Sequence, residues 1–305
     1  LAAVREDAPS FTAAWVAAMR GLGVFLPDSL RLVDDPYGLR FAGRLRALRD
    51  DPRAERRMRR TSRAWMRGRL RSLVLYMQLR TRVIDDDVAA FAHTGGRQVV
   101  VLGAGFDCRA WRLGALADAT VYEVDHPATQ AKKRAVMSAE RPAGRVVFVP
   151  WNFESDPLYR LPARLGLDGH DARDRTMTIL EGVLPYLSKE ATEETFACVS
   201  RYSAPDSPIA LTYMDQSLLD DPSRGMTRER MWVRWLGEPF RSAFDPAALG
   251  DWLSARGFRL LRNESGPDAA SRLLGADAPR AMMRANGGRR HFALAYQTSE
   301  DGRAR

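Results

Sequence analysis

The sequence predicts an α/β fold, a doubly wound and mostly parallel sheet that ends in an antiparallel hairpin. Three observations carry this: the unbroken apolar run Val99-Val100-Val101-Leu102, the glycine turn Gly103-Ala104-Gly105 directly after it, and the alternation of strand-like and helix-like segments from residue 98 to residue 297. A continuous aliphatic run suits a strand buried on both faces of a parallel sheet. A tight glycine turn between strand and helix lets a ligand touch the backbone and faces helix-end N–H groups toward it.

The elements follow in order. Ser10 caps a helix that begins at Phe11, and Gly21-Leu22-Gly23 stops it. Asp34-Asp35-Pro36-Tyr37 starts another element, with Pro36 suited to a first turn. From Thr61 a helical pattern runs to about Ala92, with Leu70, Leu73, Val74 and Met77 at i, i+3, i+4, i+7 and Ile84 on the same face. Strand 98–102 leads to a helix around 109–117, and strand 120–125 to a helix from Pro127 to Ala139. Strand 145–149 ends at Pro150-Trp151-Asn152-Phe153. Strand 176–180 ends at Glu181, before a helix capped by Ser188. Strand 209–213 precedes an insertion, Gln216–Ala243, carrying Met226, Met231, Trp232, Trp235 and Phe240. Asp245-Pro246 caps a helix that reaches Arg256, Gly257 ends it, and 258–262 and 291–297 are the last strands.

The glycine turn admits two readings, a nucleotide cradle or a close-packed βα turn with no ligand. A dinucleotide fingerprint would need a third glycine where Cys108 stands, and no Gly-Lys-Ser/Thr follows to make a phosphate loop. Asp125 lies 20 residues past Gly105 at the end of the next strand, where an acid suits the two hydroxyls of a ribose. That combination favours S-adenosylmethionine over NAD.

The totals bound other classes. At 305 residues the chain is one large or two small domains, and no run approaches the ~18 apolar residues of a membrane span. The N-terminus shows no signal-peptide pattern. Cys108 and Cys198 fall in expected core elements, which points to a reducing, cytoplasmic setting; His93, His126, His170 and His291 lack metal-ligand spacing. The net charge of +9 is local: residues 40–82 hold 15 Arg against three acids, and the remainder sums to −3. A solvated arginine face is the plainer reading of that segment, a polyanion or membrane surface the other.

Six ordered motifs make the chain resemble the leucine carboxyl methyltransferase family, and within it the bacterial small-molecule O-methyltransferases found around polyketide pathways. They are Thr12–Arg20, Asp35-Pro36-Tyr37, Arg80–Asp85, Val101–Arg109, Tyr122–Pro127 and Glu181–Leu187. The resemblance implies a Rossmann-like methyltransferase domain, expected over 85–305; outside the strand–helix alternation lie an N-terminal helical cap over 1–84 and the insertion 216–243, a substrate lid by its place after a strand end or else core packing. The resemblance implies that Arg80 pairs with the methionine carboxylate of S-adenosylmethionine, that Gly103 and Gly105 form the turn beneath it, and that Asp125 holds the ribose. Asn152-Phe153 matches a pair that flanks adenine, with Asn where Asp is usual. Glu181 matches an acid near the methionine amino group. Asp107 and Arg109 belong to a motif too, either touching the cofactor or fixing the turn.

Methyl transfer from a sulfonium is an in-line displacement. A carboxylate acceptor is already ionised at pH 7, whereas a phenol would want a base, and no histidine falls in the motifs after residue 126. This favours esterification of a small-molecule carboxylate, with a phenol as the second choice. Tyr186 and Tyr213, near strand ends, are candidates to hydrogen-bond the acceptor or are packed core residues. Trp232, Trp235 and Met231 are candidates to cover an apolar acceptor, or to fill a core. Two other functions stay open: a protein C-terminal carboxyl methyltransferase, and a non-catalytic nucleic-acid-binding module using the Arg-rich helix. No nucleic acid or membrane partner is expected under the first reading.

Overall fold

Every residue of β1 (Gln98–Leu102) is buried, as a strand covered on both faces requires, and it lies mid-sheet. The structure, a computed structural model, describes residues 10–43, 51–65, 68–220, 240–275 and 289–299. The other strands are β2 (Thr120–Asp125), β3 (Arg145–Pro150), β4 (Thr176–Leu180), β5 (Pro208–Met214), β6 (Phe258–Ser265) and β7 (Arg290–Gln297). The sheet order is β3-β2-β1-β4-β5-β7-β6. The first five strands are parallel; β7 runs antiparallel between β5 and β6. The order reverses at β1, so crossovers leave a crevice outside the carboxyl ends of β1 and β4, where such sheets bind ligands. The doubly wound sheet expected from sequence is therefore present. The expected final antiparallel pair is present too, β6 against β7, with a helix in the connection between them.

The helices among the described residues are α1 (Phe11–Gly21), α2 (Pro52–Trp65), α3 (Gly68–His93), α4 (Arg109–Arg112), α5 (Pro127–Met137), α6 (Leu161–Leu167), α7 (Lys189–Tyr202), α8 (Gln216–Leu219), α9 (Leu249–Ser254) and α10 (Gly266–Leu274). Ser10 caps α1 as expected, its Oγ accepting from the Ala13 N–H at 3.1 Å, and Ser188 caps α7 in the same way at 3.2 Å.

Two expectations are corrected, while the helix expected from Thr61 is described over α2 (Pro52–Trp65) and α3 (Gly68–His93), with residues 66–67 outside the described residues. The helix expected over 109–117 stops at Arg112, because Leu113 is extended and Gly114 opens a short 3-10 turn instead. Asp245 caps a turn, not a helix: its Oδ1 accepts from the Ala247 N–H at 2.9 Å, and α9 starts only at Leu249.

Among the apolar clusters of the described residues, two bear most on the site. Val100, Leu102, Tyr122, Val124, Leu180, Phe196, Leu211 and Phe258 pack on one side of the sheet. A second cluster joins α1, α3 and α10 through Leu22, Phe25, Val74, Leu75, Leu79, Ala269 and Phe292. Each fully buried aliphatic or aromatic side chain of this kind stabilises by about 1.5–3 kcal/mol. Because α3 runs on past residue 84 and packs Ile84 and Val88 against β1 and β4 residues, the cap is joined to the sheet by one continuous helix. No helix among the described residues is long and apolar enough to cross a membrane.

Candidate active site

A cavity of about 670 Å³ runs along the carboxyl edge of the sheet. Its lining follows the strand order: Asn152 and Phe153 after β3, Asp125 after β2, Gly103 and Gly105 after β1, Glu181 after β4, Tyr213 and Met214 on β5, and Arg290 on β7. From β3 to β7 is five strand spacings, about 24 Å. Helix α1 closes one side with Thr12, Ala13 and Val16, and α3 contributes Tyr76 and Arg80.

The glycine turn is built for close approach. Gly103 and Gly105 have φ of +66° and +51°, a region that side chains rarely enter. A Cβ on Gly103 would meet Val183 at 2.7 Å, and one on Gly105 would meet Ala13 at 3.1 Å. Asp125 ties this turn down. Its Oδ2 accepts from the Gly105 N–H at 2.5 Å and its Oδ1 from the His126 N–H at 2.6 Å. Burial pushes the Asp125 pKa up, and these two backbone donors offset part of the rise. A carboxylate has about four lone-pair sites, so two remain for a pair of hydroxyls.

At the opposite face of the turn lies a buried ionic cluster. Glu181 accepts from Arg80 Nε at 2.7 Å on one oxygen and from an Arg109 guanidinium nitrogen at 2.6 Å on the other. Arg109 is fully buried and also bonds Asp85 at 2.7 Å and Asp107. Arg112 shares Asp85. Burial raises the Glu181 pKa, but Arg109 and Arg80 outweigh it and hold the carboxyl at about 2. Asp107 is driven below the usual carboxylate range in the same way, with Arg109 as the main opposing charge. Arg109 does not line the cavity, whereas Asp107 does. Of the two motif residues left open by the sequence, Arg109 therefore fixes the turn and Glu181, and Asp107 reaches the cavity wall.

The remaining expected residues fall as follows. Asn152 and Phe153 line the cavity, with Phe153 exposed. The Asn152 amide oxygen already accepts from the Glu154 N–H at 3.0 Å, and its own N–H donates to Asp156 at 2.8 Å, so one amide lone pair remains for an adenine amino group. Tyr186 lines the cavity and packs on Phe240 with ring centroids 5.6 Å apart. The Tyr213 ring lines it too, but its hydroxyl donates to Asn263 Oδ1 at 2.7 Å and burial raises its pKa. Trp232, Trp235, Met231 and Met226 lie outside the described residues, as does most of the insertion 216–243.

Sequence reasoning assigned no role to several lining residues. Arg20 pairs with Asp35 and donates to the Phe106 carbonyl at 2.7 Å, clamping α1 to the glycine turn. Both residues sit in the motifs Thr12–Arg20 and Asp35–Tyr37, which was the available signal. Thr12 Oγ1 is buried without a hydrogen-bond partner among the described residues, as a group awaiting a polar ligand would be. The turn, Asp125, the Arg80–Glu181 pair and this orphaned hydroxyl fit a zwitterionic nucleoside.

The sequence profile described as leucine carboxyl methyltransferase matches residues 13–200. The chain belongs to the leucine carboxyl methyltransferase family. A protein of Mycolicibacterium paratuberculosis is 35% identical over 208 residues, 63% of this chain and 64% of that protein; one of Streptomyces coelicolor is 34% identical over 238 residues, 75% of each. Both are described as "putative S-adenosyl-L-methionine-dependent methyltransferase". The match spans less than two thirds of the first of these. Among solved structures, a protein of Thermobifida fusca described as a "putative methyltransferase" superposes with TM-score 0.57 at 18% identity over 98% of each chain. A Streptomyces avermitilis protein gives TM-score 0.59 at 17% identity over 96% of this chain and 100% of its own. These two establish the fold alone. S-adenosylmethionine, the cofactor expected from the glycine turn and Asp125, is the cofactor of this leucine carboxyl methyltransferase family chain.

Proposed function

We propose that the chain is an S-adenosylmethionine-dependent O-methyltransferase that esterifies a small-molecule carboxylic acid. One observation carries this: a single cavity joins a half with polar, charge-paired groups suited to the cofactor to a half lined by Tyr186, Tyr213, Met214 and Phe240. A volume of about 670 Å³ lies within the roughly 300–1,000 Å³ of small-molecule sites. The bound cofactor supplies an electrophilic methyl group on a sulfonium.

The chain's residues then bind and align. Arg80 offers its outer guanidinium nitrogens to the methionine carboxylate, Glu181 faces the ammonium, and Asp125 takes the ribose hydroxyls. Alignment of this kind supplies roughly 7–11 kcal/mol toward the barrier. No side chain described at the acceptor end is a ready base. The Tyr213 proton is given to Asn263, and histidine is absent from the described lining there. A carboxylate needs no base. The cavity volume and the aromatic and aliphatic lining around Tyr186, Tyr213 and Phe240 support a small-molecule acceptor.

Calorimetry with S-adenosylhomocysteine, followed by mass spectrometry of a carboxylic-acid panel incubated with the enzyme and S-adenosylmethionine, tests this. The expected result is micromolar-scale cofactor binding and methyl esters among the products. Binding without any ester, but with methyl ethers of phenols, would overturn the carboxylate. Absence of cofactor binding would overturn the enzyme.

A further inference from the structure

The strand order lays the cofactor out in one direction. Glu181, bonded to Arg80, stands at the exit of β4, the glycine turn at the exit of β1, and Asp125 at the exit of β2. A nucleoside with its methionine end at β4 and its ribose at β2 carries its base one strand spacing farther, about 5 Å, to the exit of β3. Asn152 and Phe153 line the cavity there. The Trp151 N–H donates to the Asp125 carbonyl at 2.9 Å, which ties the start of this loop to the ribose acid.

The Asn152 side chain is held one way round. Its amide oxygen accepts the Glu154 N–H at 3.0 Å. A backbone N–H needs an acceptor, so the atom it meets is oxygen, and the other amide atom is the nitrogen. The backbone is pinned as well: the Asn152 N–H donates to Asp156 at 2.8 Å, and its carbonyl accepts from the N–H groups of Ser155 at 3.1 Å and Asp156 at 2.7 Å. Asn152 is half-buried, and its amide nitrogen donates to no described residue.

An amide and a carboxylate read a base differently. A carboxylate only accepts. A primary amide accepts through oxygen and donates through nitrogen, side by side. Adenine offers the matching pair, since its amino group stands beside a ring-nitrogen acceptor on either edge, N1 or N7. The Asn152 oxygen has two lone pairs, and the Glu154 N–H takes one of them.

We infer that Asn152 reads adenine through both halves of its amide, the oxygen accepting from the amino group and the nitrogen donating to the adjacent ring nitrogen. Asn152 is then a specificity-determining residue for the base of the cofactor. This rests on the methyltransferase reading and deepens it at the cofactor end.

The test titrates the protein by calorimetry with S-adenosylhomocysteine and with its 1-deaza and 7-deaza analogues, each of which exchanges one ring nitrogen for C–H and keeps the amino group. At least one analogue is expected to bind the wild type about tenfold weaker than S-adenosylhomocysteine. Asn152→Asp keeps the acceptor for the Glu154 N–H and for the amino group but loses the donor. Its melting temperature should hold, S-adenosylhomocysteine should fall to the affinity of the weaker analogue, and the difference between the two should vanish. The analogue without the amino group should bind weaker than S-adenosylhomocysteine in the wild type and in Asn152→Asp alike. Equal affinity for S-adenosylhomocysteine and both deaza analogues in the wild type overturns the inference, and that comparison needs no variant to fold. A deaza penalty that survives Asn152→Asp assigns the ring nitrogen to another donor and overturns it too. If S-adenosylhomocysteine itself does not bind, the methyltransferase reading falls first.

Discussion

The two halves of the cavity are made differently. Over β1 to β4, three charged side chains of the wall are tied to other parts of the protein: Asp125 to the backbone of Gly105 and His126, Glu181 to Arg80 and Arg109, Arg20 to Asp35 and Phe106. Over β5 and β7 the wall is aromatic and aliphatic, with arginine as its charged component. The first half is preorganised for one molecule, since fixed dipoles and charges cost no rearrangement when it arrives. The second fixes shape, which leaves room for acceptors to differ. The contrast teaches that in this chain buried ion pairs hold the half suited to the cofactor, while aromatic and aliphatic side chains shape the other half.

The largest expected effect falls on the ionic cluster. Arg109→Met leaves Asp85, Asp107 and Glu181 buried with too little positive charge, and removing one partner of such a pair costs about 3–5 kcal/mol. Denaturant unfolding should show that loss; a variant with wild-type stability would mean that the cluster does not hold the cofactor half together.

Acid should act through the same place. Against the rise that burial causes, Arg109 and Arg80 hold the Glu181 pKa at about 2 in the fold, below the ordinary glutamate value of 4.5. The stabilisation is therefore complete above about pH 4.5 and declines as pH falls toward 2. Melting temperature measured across that window should drop, and Glu181→Gln should flatten the slope.

A smaller effect follows for single cofactor contacts. Asp125→Ala should weaken S-adenosylhomocysteine by about 1–3 kcal/mol, the scale of lost charged hydrogen bonds, and Arg80→Lys should weaken it less but measurably. Calorimetry that finds both unchanged would remove them from the site. Smallest of all is Tyr213→Phe, which deletes one hydrogen bond to Asn263 and should cost about 1 kcal/mol of stability. A collapse of turnover in Tyr213→Phe with stability intact would make that hydroxyl an acceptor contact and blur the contrast between the halves.

How legible each half was follows from chain distance. The strand Val99–Leu102, the glycine turn and Asp125 are written within 30 residues, and a run, a turn and a strand end are local patterns. The sequence also placed Glu181 at a strand end, and the structure puts it there. It did not reveal that Arg109 would bond Glu181 across 72 residues or that Arg20 would reach Phe106 across 86, because side-chain pairing at that separation leaves no periodic trace. Arg290 was invisible for a further reason. Its place depends on β7 inserting between β5 and β6, which strand order alone decides. The helix expected at 109–117 ends at Arg112 because Leu113 is extended and a 3-10 turn opens at Gly114.

Helix α3 has a mechanical consequence. Its 26 residues form a rod of about 39 Å, and Tyr76, whose ring lies under Arg290 at the β7 end of the cavity, and Arg80 are fixed about 6 Å apart along it. Stretching that interval would break backbone hydrogen bonds, so no displacement can carry one of these side chains away and leave the other behind. The gate for one ligand is then the gate for the other. Rates of entry measured for each alone should share a temperature dependence, and a glycine pair inserted between the two positions should uncouple them.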